Sequence, residues 1–478
     1  MAPTRQAGLA LLVIVLGVLI AAVDTTIVVL ALPPLMADLK VGISSVIWVI
    51  IGYLLIITLL ATQVGRLGDL FGRVRMYQLG FLIFVLGSLL CALSWNEASI
   101  VAFRLLQGLG GALISANSGA VIADIFPPER RGQAYGFNAI GWNIGAVLGI
   151  ILGGLIINYT SWRWVFWINV PIGLIAVTIG WFVLHDQGVR TSRKLDLWGM
   201  VLLGGGIFGL AWGAIHLIGA SLDPETLLSL GGGLVLLALF AWVEQIQAEP
   251  MLRLDLFRIP TMTPSLLAAF FQSLGGYATL FLLIMYLQGV RGLSPLNASL
   301  LLVPGYLIGS IVGPLTGRLA DRLGPALPAT AGLIIQALAL LLYAQLQPNT
   351  PLALVPLISA INGLGSGAFF PANNAAVMKA APRGDFGAAS GLLRTMANLG
   401  MVFSFALAIL IAANAIPKPL AFAIFVGNTE LSPKLASAFA TGIHAAFYLA
   451  TFLLFVAAGL SLVRTRGLKG SIPGRADR

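Results

Sequence analysis

Between residues 9 and 463 the chain passes through one apolar stretch after another, separated by short polar breaks. Each is about 20 residues long, the length a helix needs to cross ~30 Å of hydrocarbon. The apolar runs are continuous rather than alternating, which selects helices over a closed barrel. Spans are expected at about 9–36, 44–65, 76–95, 98–122, 132–157, 162–184, 197–219, 226–246, 262–288, 296–317, 326–346, 351–379, 385–412 and 437–463. A chain with 59% hydrophobic and 9% charged residues is too apolar for a soluble domain to cover. The 56 glycines fit, because small residues let membrane helices approach closely. The first stretch has no evident cleavage site and is expected to be a retained span.

One short signature is written twice. GRLGDLFG (Gly65–Gly72) and GRLADRLG (Gly317–Gly324) each fall between two apolar segments, where a tight basic loop is expected. The repeat continues: QGLGG at Gln107–Gly111 matches NGLGS at Asn362–Ser366, and SANSGAV at Ser115–Val121 matches PANNAAV at Pro371–Val377. Asn143 and Gly145 likewise match Asn398 and Gly400, all at offsets of 252 to 256 residues. Two related helical bundles follow from such a repeat. The surplus between the copies is enough for two further helices. The expected organisation is a six-helix bundle over 1–190 and two inserted helices with basic flanks over 191–254. A second six-helix bundle over 255–466 and a basic tail over 467–478 complete it.

Placing both termini inside puts 20 of the 27 Lys and Arg on the inner side. Five lie outside (Lys40, Arg163, Arg291, Lys418 and Lys434), and two, Arg104 and Arg394, fall within spans. This asymmetry sets the orientation and accounts for the net charge of +10 without nucleic acid. The single cysteine, Cys91, excludes an intrachain disulfide. No Lys follows a Gly, so there is no phosphate-binding P-loop, and neither HExxH nor GxSxG occurs. His185, His216 and His444 have no metal-ligand spacing.

In this order the motifs resemble the major facilitator superfamily, in particular its fourteen-spanner drug:proton antiporter branch. The likeness covers nearly the whole chain. The loop signature falls on Gly65, Leu67, Asp69, Gly72, Arg73 and Arg75, and the fourth-helix motif on Arg104, Gln107, Gly108, Gly110 and Gly111. Asp24, Thr25, Thr26, Ile27 and the closing Leu32-Pro33 look like the first-helix motif. The antiporter glycine motif of the fifth helix falls on Gly145, Gly149, Gly153 and Gly154, with Ile150 standing where the motif has Pro. The run WRWVFWINVPIG (Trp162–Gly173) is also similar to this branch. The resemblance implies an all-α membrane fold of two six-helix bundles plus two inserted helices. It also implies a non-enzymatic carrier driven by the proton gradient, with no bound cofactor or metal.

Asp24 lies midway along the first span. A charge there costs ~2.5–3.5 kcal/mol or more, so it must be paired, hydrated or protonated. A carboxyl that can switch between these states suits a proton-coupled carrier. Arg104, in the outer part of the fourth span, is its natural partner, though sequence alone does not put the two in contact. The resemblance gives Arg104 a part in proton coupling or substrate access. Asp124 comes 20 residues after Arg104, about 30 Å along a helix, and therefore lies at the inner face near the signature. There Asp69 can accept bonds at a helix end and Arg73 can clamp Asp124, and the family reading of this group is a conformational latch. Asp321 belongs to the second copy, where Lys379 replaces the equivalent of Asp124. The glycines at 141, 145, 149 and 153 form one stripe. Such a stripe packs tightly against another helix, and by resemblance that packing is the sliding interface between the halves.

Substrate is expected between the bundles near mid-membrane. Candidate liners are Thr26, Trp48, Tyr53, Asn117, Trp142, Asn143, Gln272, Tyr277, Asn362, Asn373, Arg394 and Asn398, mostly chosen as polar or aromatic residues within spans. The expected activity is export of an amphipathic or lipophilic small molecule in exchange for protons, of multidrug type. A lipid or an anionic metabolite as cargo is the first alternative, because the spans are poor in acids after the first. A receptor or channel is the second. The expected partners are substrate, protons and membrane lipids, with the protein acting as a monomer in the plasma (inner) membrane and both termini cytoplasmic. The stretch 413–436 is read as a lid or a re-entrant hairpin.

Overall fold

The computed structural model describes residues 4–60, 63–126, 128–186, 195–217, 223–247, 249–382, 386–413 and 433–469. Residues 414–432 of the expected lid or hairpin, the basic linker around 190–194 and the tail beyond 469 lie outside the described residues. Among the described residues the regular structure is all helical, joined by short turns. Thirteen helices are long and apolar enough to cross a membrane, and a bent pair makes fourteen. Helices dominate because each satisfies its own backbone hydrogen bonds in an environment without water.

The helices are α1 (Thr4–Leu39), the bent pair α2 (Trp48–Leu60) and α3 (Gln63–Phe71), α4 (Arg73–Ala92), α5 (Glu97–Ile125), α6 (Pro128–Tyr159) and α7 (Asn169–Val183). The inserted pair is α8 (Leu197–His216) and α9 (Pro224–Ile246). The second half consists of α10 (Thr263–Gly276), α11 (Thr279–Ile284), α12 (Pro295–Leu323), α13 (Ala326–Tyr343), α14 (Leu354–Ala380), α15 (Phe386–Ala413) and α16 (Pro433–Lys469). The face where α1 begins is called the near face below, and the opposite one the far face. Polar residues start several helices. Asn96 and Ser99 form a reciprocal capping box before α5, and Asp196 and Asp223 cap α8 and α9.

Within the first half α1 packs on α6 and α7, and α5 on α2 and α4; in the second, α14 packs on α12 and α13, and α10 on α15 and α16. The repeat holds at the level of contacts. A Cβ on Gly145 would strike Leu19 and Ala22 of α1, and one on its counterpart Gly400 would strike Phe270, Ser273 and Leu274 of α10. The halves meet where α6 lies on α12, α2 on α15 and α1 on α11. The inserted helices pack on each other through Gly206, Gly209, Gly213 and Gly233. Of the two, α8 also leans on α2 and α15, beside the seam between the halves.

One expectation is corrected, and two spans are irregular. The signatures are not loops: Gly65–Phe71 is helical within α3 and Gly317–Leu323 within α12. Only the last glycine of each turns the chain, with φ of 106° at Gly72 and 84° at Gly324, a region other residues rarely enter. The second span is not straight, since the axes of α2 and α3 differ by 56°. The ninth span is not one helix either. The Ala278 N–H goes to Ser404 Oγ at 3.0 Å, and α11 is followed by a π-helical turn at Met285–Val290.

Candidate functional site

A polar cluster sits inside the first half, walled by α1, α2, α4, α5 and α7. Asp24 and Arg104 are 0% and 1% exposed. Arg104 Nη1 donates to Asp24 Oδ2 at 2.7 Å, so the two candidates form a direct ion pair. The same nitrogen reaches Gln107 Oε1 at 2.6 Å, and Nε donates to the carbonyl of Val49 at 2.8 Å. The guanidinium lies 4.2 Å above the Tyr53 ring and 5.7 Å from that of Phe166. The other carboxylate oxygen, Asp24 Oδ1, accepts from Gln107 Nε2 at 2.8 Å and Asn169 Nδ2 at 3.2 Å. Ser88 Oγ accepts from both amides.

Local sequence explains this convergence. Arg104 and Gln107 are three residues apart and so share one face of α5. Glycines just beyond them let the neighbouring helices close in. A Cβ on Gly108 would press on the Tyr53 carbonyl, and one on Gly110 would collide with the backbone of Phe84. Besides Asp24, Arg104 is held by Val49, Gln107 and the Tyr53 ring. The ring of donors around Asp24 was only partly legible beforehand. Gln107 and Asn169 lie in motifs quoted above, but nothing in the sequence gave them Asp24 as a partner, and Ser88 carried no signal.

At the near face Arg73 donates to Asp69 Oδ1 at 2.9 Å and to Asp124 Oδ1 at 2.7 Å. Partial burial holds the Asp124 carboxyl above its ordinary value against the pull of Arg73, and Asp69 and Asp186 add to the upward push. Asp186, absent from the sequence candidates, caps α4 by accepting from Val74 N at 2.8 Å. It also lies where a Cβ on Gly72 would go. The side chain of Asp321 lies outside the described set. At the far face Asp38 takes hydrogen bonds from Trp162 Nε1 and Arg163.

The glycine stripe requires a correction. A Cβ on Gly141, Gly145, Gly149 or Gly153 would meet Val15, Leu19, Thr26 or Leu30, all on α1 of the same half. Gly154, one position round the helix, is the residue that faces the other half, at Leu296 and Ser299 of α12. The motif therefore joins the helix carrying Asp24 to the helix that touches the second bundle.

The candidate liners separate into two groups. Thr26 is buried against α6, and its hydroxyl donates to the Ala146 carbonyl at 3.3 Å. Trp48 packs on Phe208 and Trp212 of the inserted α8. Tyr53 lies beneath Arg104, Asn117 donates to Leu113, Gln272 to Gln336 and Asn373 to Ser265. These six belong to helix packing in this conformation and not to an open wall. Trp142 and Arg394 are exposed, and Asn143, Tyr277, Asn362 and Asn398 are half-buried. Arg394 reaches across the seam, its Nη1 donating to the Ser115 carbonyl of α5 at 3.3 Å.

Two helical bundles with a mid-membrane ion pair in one of them define a membrane transporter fold. The family model for the Major Facilitator Superfamily matches residues 14–405 and 266–477. The chain belongs to this superfamily. It is 30% identical over 400 residues to the riboflavin transporter RibZ of Clostridioides difficile strain 630, covering 83% of this chain and 86% of that one. It is 32% identical over 397 residues to the tetracenomycin C resistance and export protein of Streptomyces glaucescens, covering 82% and 73%. Among solved structures, a bacterial homologue of the human lysosomal transporter Spinster, inward-facing and occupied, aligns over 99% of this chain and 100% of its own. Its TM-score is 0.72 at 17% identity, a likeness of fold.

Proposed function

We propose that this transporter exports an amphipathic or lipophilic small molecule in exchange for protons, with Asp24 as the proton carrier. The observation that carries this reading is the fully buried Asp24–Arg104 pair, set within the spans and away from either face. A buried intramembrane carboxylate with a single cationic partner is a natural proton relay. Neutralising Asp24 loosens its hold on Arg104. That in turn alters how α1 sits on the glycine stripe of α6, and Gly154 of α6 bears on α12. The two arrangements of the halves are thereby biased by one proton, and substrate that favours one arrangement competes with it.

The near face is read as cytoplasmic, since the Lys and Arg gather there. No cofactor or metal enters the cycle; the proton gradient supplies the energy, and one chain is the working unit. The relatives named for exporting or resisting a drug favour a multidrug or antibiotic cargo, and the riboflavin relative a metabolite. A second cargo reading has its own support. Arg394 is exposed at the seam while Asp24 is sealed away, so an anionic or lipid-phosphate group finds a cation there.

The test is transport in inverted vesicles under an imposed pH gradient. Gradient-driven, saturable uptake that Asp24→Asn abolishes supports the reading. Uptake indifferent to that substitution sinks it. Comparing a cationic dye with an anionic lipid analogue, in wild type and Arg394→Gln, decides between the cargoes.

A further inference from the structure

Away from Asp24, a second pair of carboxyls is buried where the inserted helices meet the near face. Asp196 caps α8 and is 1% exposed; Glu244 lies on the last turns of α9 and is 3% exposed. They point at each other over Gly199, where an added Cβ would collide with Asp196 Oδ2 and Glu244 Oε1 together. Three of their four oxygens have donors. Asp196 Oδ1 accepts from Gly199 N at 2.7 Å and Gln247 Nε2 at 3.1 Å, and Oδ2 from Met251 N at 3.2 Å. Glu244 Oε2 accepts from Leu252 N at 2.8 Å. The fourth oxygen, Glu244 Oε1, is buried and has no hydrogen-bond partner.

Among the described residues no ion pair reaches either carboxyl. Among the described residues, the charged groups on the surrounding elements are Arg66 and Asp69 on α3, Glu249, Arg253, Asp255 and Arg258 after α9, and Arg394 on α15; Arg190, Arg193 and Lys194 of the preceding linker lie outside the described set. Arg253 is paired with Asp255 at 2.7 Å, and Arg66 donates to the carbonyls of Glu249 and Pro250. Two adjacent carboxylates with no cation paired to them among the described residues do not both ionise in a dry site; one proton is shared between them. A proton on Glu244 Oε1, donated to Asp196 Oδ2, supplies the one missing bond.

We propose that Asp196 and Glu244 form a second proton-binding site, distinct from Asp24, which clasps the strap Met251–Leu252 at the near face. The strap matters because α3 holds both Asp196 and the chain leading into the strap. Gln63 Oε1 of α3 accepts from the Asp196 backbone at 3.3 Å, and Arg66 of α3 grips Glu249 and Pro250. The strap then leads through Leu254–Arg258 into α10 of the second half. Loss of the shared proton sets two like charges against each other and frees the strap from the signature helix. The site thus makes the near face sensitive to the pH on that side, and it does so whether or not Asp24 drives transport.

The experiment is infrared difference spectroscopy on the purified full chain in lipid nanodiscs, titrated from neutral to alkaline pH. Wild type is expected to carry a protonated-carboxyl C=O band at neutral pH that disappears on alkalinisation. The band should persist in Asp24→Asn and vanish in Glu244→Gln. Asp196→Asn preserves the cap and removes the like charge, so the remaining Glu244 band should titrate at lower pH. That variant serves if Glu244→Gln does not fold. A band absent from wild type overturns the proposal, as does one lost with Asp24→Asn and kept in Glu244→Gln, which would assign the proton to Asp24 alone. Protection by sodium ion in place of the band also overturns it, since a metal cation would then occupy the site.

Discussion

Arg104 Nη1 and Asp24 Oδ2 stand 2.7 Å apart with almost no solvent exposure on either side. Removing one partner of such a pair leaves an uncompensated buried charge and costs ~3–5 kcal/mol, whereas neutralising both costs far less. Arg104→Gln is therefore expected to lower thermal stability sharply. Asp24→Asn, isosteric and still able to meet Gln107 through its amide, should lower it less. The double variant should recover most of the loss of the arginine variant. Thermal unfolding of the four proteins in detergent checks this. Additive losses would mean that the pair is not coupled.

Gly149 and Gly231 make a paired comparison. A Cβ at 149 would collide with the Thr26 hydroxyl and the Val23 carbonyl, while one at 231 meets nothing within 4 Å. Overpacking a close helix contact costs ~1–3 kcal/mol. Gly149→Ala should lose stability on that order and slow transport, and Gly231→Ala should leave both within error. Gly154→Ala pushes on Ser299 and Leu296 across the seam. It is expected to alter transport more than stability. Melting temperatures beside initial transport rates separate these effects.

Asp186 and Gly72 form the turn into α4. Asp186 accepts from Val74 N, and Gly72 holds φ at 106° with Asp186 filling the space of its missing side chain. Losing such a cap costs ~0.5–2 kcal/mol. Asp186→Ala should destabilise in that range. Gly72→Ala should cost more, because it adds both strain and a collision. Hydrogen exchange in the first turn of α4 should rise in both.

How much of this was legible beforehand varies with what fixes each feature. The fourteen spans, the repeat and the inserted pair follow from apolar length and duplicated motifs, which act locally. Asp24 and Arg104 stood out because a charge within a span needs a reason. Their contact did not, since it depends on how far α1 and α5 slide past each other. The signature was misread as a loop because Gly and Arg suggest a break, while only Gly72 and Gly324 leave the helix. The stripe on α6 was visible, but its partner was not: spacing defines a face without naming the neighbour. Asp186, Ser88 and the contact between Asp196 and Glu244 were not legible, because polar side chains near helix ends read as ordinary caps.

Asp124 supplies the pH prediction. Its carboxyl is held above the ordinary value chiefly by burial, with Asp69 and Asp186 adding to the shift and Arg73 opposing it. A raised value means the folded protein binds this proton more tightly than the unfolded chain does. The associated stability is therefore present at low pH and is lost as pH rises through the folded value. The Arg73 contact has the opposite sense, because only the ionised carboxylate holds the guanidinium fully. On acidification from neutral, Asp124 should take up its proton before an ordinary aspartate would, and Arg73 should fall back on Asp69. Hydrogen exchange across Gln63–Phe71, corrected for the intrinsic pH dependence of exchange, is expected to rise over that interval. In Asp124→Asn it should be high already at neutral pH and flat with acidification. Wild-type protection that stays constant down to the ordinary carboxylate range would show that α3 is held by Arg66 and the strap alone, with the Arg73–Asp124 bond adding nothing.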